Sequence, residues 1–132
     1  MERAAAVVGA GDRFVGKQGL TYVAGLTGQT VGSEKICMTV ATLPPGAKAK
    51  AHLHERIETA VYVLEGRAAM VFGRRLEHRV EAGAGDYCYV PADMPHVVFN
   101  PFDAPCRAVV AHTASHDQEG IVLLPELDSL VP

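Results

Sequence analysis

His52 and His54 stand two residues apart in the run GAKAKAHLHERIETAVYVLEG (46–66), and that spacing restricts the backbone if both side chains serve one site. Residues i and i+2 share a face of a β-strand, whereas on an α-helix they point to nearly opposite sides. Local propensity pulls the other way. The stretch AKAKAHLHERIE is rich in Ala, Lys, Leu, Glu and Arg, all good helix formers, and a helix would pair His54 with Glu58 at i,i+4. The flanks decide for a strand. Pro44-Pro45-Gly46 marks a turn just upstream, and AVYVLEG just downstream reads as a β-branched strand closed by a turn glycine.

A second segment, GDYCYVPADMPHVVFN (85–100), supplies a further histidine. Alternation over Asp86-Tyr87-Cys88-Tyr89-Val90 suggests a strand, Pro91-Ala92-Asp93 a turn, and Pro95-His96-Val97-Val98-Phe99 a returning strand. Such a hairpin would bring His96 beside the strand that carries His52 and His54. With Glu58 the set is three imidazoles and one carboxylate, donors that suit one divalent transition metal with open coordination positions.

The two segments resemble the paired motifs of the cupins, the second one at Gly85, Pro91, His96 and Asn100. Two positions depart from the family pattern. Asp93 replaces a turn glycine, and Asp is among the less costly residues at positive φ. Seven residues separate Glu58 from Gly66 where the family has six, so Thr59 competes for the carboxylate position. Glu58 alone can supply a carboxylate and is assigned as the ligand. The resemblance covers about residues 36–112 and implies a single domain over 1–132. It implies an all-β fold, an antiparallel double-stranded β-helix or jelly-roll barrel, with the metal inside. Carried over, the ligands are His52, His54, Glu58 and His96. Fe or Mn is favoured, with Zn, Ni, Co or Cu as alternatives.

Composition agrees with a β-rich chain. Thirteen glycines and eight prolines punctuate short apolar runs, and 48% hydrophobic residues exclude a disordered polymer. A net charge of -3 and the absence of Trp argue against nucleic acid as a partner. No run approaches the roughly 18 apolar residues of a membrane span, so no membrane partner is expected. The apolar run Ala4 to Ala10, preceded by Arg3, is too short for a signal-peptide core, and a cytoplasmic location is expected. GAGDRFVG near the N-terminus lacks a strand before it and a helix after it, so it does not read as a nucleotide loop.

Cys37, Cys88 and Cys106 each fall in an expected strand and match no metal or redox spacing. Buried, reduced thiols are expected, with Cys37 or Cys88 as candidates for a thiol near the metal. Of the remaining histidines, His78 reads as a solvated strand residue and His116 as a loop residue. His112 ends the last barrel strand and is the candidate for a second catalytic group beside Glu58, which could accept a proton on leaving the metal. Tyr62, Met70 and Phe72 have a parity that could aim them inward, with core packing as the simpler role. The tail residues Ile121 to Leu124 are too apolar for a free end and would cover a barrel edge or a second subunit. That argument and the resemblance together predict a homodimer.

Four protein ligands leave about two positions on an octahedral metal for a small-molecule substrate, alone or with dioxygen or water. An enzyme acting on a small oxygenated compound is expected, with dioxygenase-like chemistry slightly ahead. Lyase, isomerase or polyketide-cyclase activity, or a non-enzymatic binding or sensing role, are the alternatives.

Overall fold

Most strands end at, or within two residues of, a proline or glycine. The computed structural model of the chain describes residues 4–132; Arg3, ahead of the apolar N-terminal run, lies outside them. The strands are β1 (Arg13–Val15), β2 (Thr21–Leu26), β3 (Cys37–Leu43), β4 (His52–His54), β5 (Thr59–Glu65) and β6 (Arg67–Phe72). They continue as β7 (His78–Gly83), β8 (Tyr87–Val90), β9 (His96–Phe99), β10 (Cys106–His112) and β11 (Ile121–Leu123). One sheet runs β1-β2-β3-β10-β5-β8 and the other β11-β4-β9-β6-β7, with every pairing antiparallel. The two sheets face one another as a double-stranded β-helix.

In β3 burial alternates residue by residue, with Cys37, Thr39, Ala41 and Leu43 buried. Across the barrel, Met70 and Val98 line the interior, while Val71, Val97 and Phe99 have the opposite parity. These three pack with Leu127, from a 3₁₀ helix at Pro125–Leu130, behind the five-stranded sheet. The C-terminal residues therefore close part of the core. Three buried Val or Leu side chains contribute about 1.5–3 kcal/mol each.

Turn chemistry fixes the strand ends. The Ala47 N–H donates to the Pro44 carbonyl at 3.0 Å, with Pro45 and Gly46 between them and Gly46 at φ 82°. That is a type II turn, which needs glycine at its third position. Asn100 is buried and bridges three loop groups: its Nδ2 donates to the carbonyls of Leu43 and Ala104, and its Oδ1 accepts from Phe102. Asp93 adopts φ 63°, as expected for the residue that replaces a turn glycine.

One sequence expectation about the fold needs correction. β8 and β9 do not form a hairpin: β8 pairs with β5, and β9 pairs with β4 and β6 in the other sheet. The Pro91–Pro95 connection crosses between sheets instead of folding back. A four-residue helix α1 (Gly28–Val31), capped by Thr27, precedes β3. Leu76 takes φ 54° in the turn before β7, which starts at His78. β1 lies outside β2 at the edge of its sheet. The apolar tail covers a barrel edge as β11, pairing with β4. No helix among the described residues is long and apolar enough to cross a membrane.

Candidate metal centre

Strand parity makes the centre. On β4, His52 and His54 point to one side and both are buried, while Leu53 between them is only partly buried. β9 pairs with β4 at a single rung, His52 opposite His96. Ring centroids lie 4.3 Å apart for His52–His96, 5.2 Å for His52–His54 and 5.8 Å for His54–His96. Ligand nitrogens of all three lie within 4.8 Å of one another.

Backbone carbonyls set the orientation of two rings. His52 Nδ1 lies 2.7 Å from the Lys50 carbonyl, and His96 Nδ1 lies 2.8 Å from the Met94 carbonyl. A carbonyl can only accept, so Nδ1 of each ring carries the proton and Nε2 carries the lone pair. This is the usual arrangement for a metal-binding histidine. His54 Nδ1 is buried without a hydrogen-bond partner, an orphaned polar atom at the cluster. Burial lowers the pKa of His52 to about 4, and of His54 and His96 to about 3, with the neighbouring histidines adding to the effect. The three rings are neutral near pH 7 and available as donors. The set fits a divalent transition ion.

Glu58 is not part of the cluster. Its side chain is exposed and accepts a hydrogen bond from the Tyr89 hydroxyl, and its backbone N–H donates to Thr113 Oγ1. The reason is parity. Thr59 and Val63 are buried on the inner face of β5, which turns Glu58, Ala60 and Tyr62 outward. Thr59 holds the inward position that the sequence analysis gave to Glu58, and the family spacing counted back from Gly66 arrives at the same residue.

His112 does enter the site. It is buried, its ring centroid lies 4.6 Å from that of His54, and its Nδ1 lies 2.8 Å from Thr59 Oγ1. Burial lowers its pKa, partly offset by the Asp117 carboxylate. His78 is exposed and stacks on Phe72, and His116 is exposed in its loop. Tyr62 packs on Tyr87 outside the barrel, whereas Met70 faces the interior. Cys37 and Cys106 are buried free thiols, and Cys88 is half-buried against the cavity.

The cavity measures about 100 Å³. The four histidines, Thr59, Gln18 and Tyr22 provide its strongly polar lining, and no Lys, Arg, Asp or Glu lines it among the described residues. Gln18 Nε2 donates to the Tyr22 hydroxyl at 2.6 Å, so both polar groups are satisfied. Sequence reasoning missed this pair. Tyr22 was detectable from alternation in β2, but nothing local marks Gln18.

This barrel with its histidine cluster matches the cupin domain family over residues 39–112, and the chain belongs to that family. An uncharacterized protein of Methanocaldococcus jannaschii is 28% identical over 90 residues, 68% of this chain and 70% of that protein. A mutant of Bacillus subtilis oxalate decarboxylase superposes with a TM-score of 0.70 at 25% identity, covering 89% of this chain and 31% of that one. The oxalate decarboxylase of that organism has Mn(II) centres. A sugar phosphate isomerase of Silicibacter pomeroyi superposes with a TM-score of 0.57 at 27% identity, covering 70% of this chain and 59% of that one.

Proposed function

We propose that this chain is a metal-dependent cupin enzyme acting on a small organic substrate, with dioxygenase-like chemistry as the first reaction class to test. His52, His54 and His96 hold one divalent ion, with Fe or Mn first, and His112 handles protons. The observation that carries this reading is the fourth buried histidine, held by Thr59 beside three histidines preset as donors. A bound ion supplies Lewis acidity and, if redox-active, access to dioxygen.

The chain's own residues do the rest. The Lys50 and Met94 carbonyls keep His52 and His96 in the tautomer that leaves Nε2 as donor. The Thr59 hydroxyl can accept from His112 Nδ1–H, which makes Nε2 a proton acceptor, or donate to Nδ1, which leaves the proton on Nε2. A hydroxyl serves both states, so His112 can take up and return a proton without losing its anchor. The apolar walls exclude water around the reacting groups.

A second reading, a non-catalytic ligand-binding cupin, is favoured by those same walls. The two separate experimentally. Full-length protein purified without chelator is analysed for metals, then screened for oxygen uptake with catechols, thiols and diketones. Turnover that falls by about 100-fold or more in His112→Ala, with metal retained, supports the enzyme. Tight ligand binding without turnover supports the binding module.

A further inference from the structure

β7 and β8 are edge strands of different sheets, consecutive in the chain and joined by no hydrogen-bonded ladder. Along this seam runs a second cavity of about 370 Å³. It shares Met70, Val80, Ala82, Cys88 and Val90 with the inner cavity, so the two spaces have one common wall. The seam lies level with the histidines. Val90 is the cross-strand neighbour of Thr59, Phe72 is the neighbour of His96, and both line the outer cavity. The remaining outer wall is mainly apolar. Its one charged residue, Glu81, is paired with Arg67 at 2.8 Å and Arg79 at 3.3 Å.

Charge restricts what can lie across this seam. Three neutral imidazoles with no protein carboxylate leave a bound divalent ion its full charge, which favours an anionic head group on the ligand. A second anionic group would find no Lys or Arg in the inner lining, and burying an unpaired charge is costly. A sugar phosphate, the compound in the name of one solved relative, does not fit this pattern, because it joins a phosphate to a hydroxylated body.

We propose that the site takes a single-headed amphiphile, with one anionic chelating group at the histidine cluster and an apolar tail through the β7–β8 seam into the outer cavity. The proposal rests on the metal-centre reading above. It is tested by calorimetry on the full chain loaded with redox-silent Zn(II), beside metal-stripped protein. The probes are acetohydroxamate, butanohydroxamate and hexanohydroxamate, with adipic monohydroxamate as the probe bearing a second anionic end. Affinity should rise by up to about fourfold per buried methylene along the series. The terminal carboxylate should cancel that gain. Val80→Trp, at an exposed seam position, should abolish the length dependence. Affinity independent of chain length would overturn the proposal, as would length dependence that survives Val80→Trp or equal binding of the adipic probe. Failure of the metal centre itself reads differently: no zinc by elemental analysis, or acetohydroxamate binding unchanged on stripping, would overturn both.

Discussion

Thr59 and Glu58 illustrate how one residue of register decides a site. Glu58 precedes β5 and Thr59 opens it on the inward face, so Glu58 faces solvent and Tyr89. Glu58→Gln should leave metal content unchanged and shift stability by no more than about 0.5 kcal/mol in urea unfolding, as for an ordinary surface substitution. Thr59→Val should have a larger effect. It leaves His112 Nδ1 buried without a partner, at a cost of about 1–3 kcal/mol in the same measurement, with metal content retained. The three histidines were legible because the i,i+2 spacing and the second motif both point inward on strands. Ligand chemistry favours Glu58 and spacing favours Thr59, and the burial of β5 follows the spacing. Counting parity back from Val63 selects Thr59.

At the scale of elements, the short strand β4 carries two of the three candidate ligands yet meets β9 at one rung only. Its other side is held by β11 through three registered pairs, and the Asp128 carboxylate accepts from the Ala51 N–H at 2.9 Å. The C-terminal tail thus positions the His52–His54 pair. Asp128→Ala should cost about 1 kcal/mol in chemical unfolding. It should also weaken metal retention against a competing chelator while all histidines remain. The tail's apolar pattern made its role as an edge cover readable. The crossing between β8 and β9 was not readable, since a local turn pattern does not say which sheet the next strand will join.

For the whole molecule, the buried histidines link stability to pH. His52, His54 and His96 stay neutral down to about pH 4 or below in the folded chain, whereas unfolded histidine is protonated below about pH 6.5. In that window the unfolded state binds more protons, so stability falls as pH falls. The loss is about 1.4 kcal/mol per pH unit for each histidine that remains neutral. Thermal unfolding of metal-free protein should therefore show Tm dropping from pH 7 to pH 4. His96→Ala should lessen that dependence while keeping a β-sheet circular dichroism spectrum, because the core formed by Leu43, Val63 and Phe99 does not depend on the ion. The central claim is a three-histidine metal centre without a protein carboxylate. Elemental analysis of wild type, Glu58→Ala and His52→Ala, each purified without chelator, tests it most directly. One divalent transition ion per chain is expected in the first two and loss of the ion in the third. Loss of the ion in Glu58→Ala, or its retention in His52→Ala, would contradict the account.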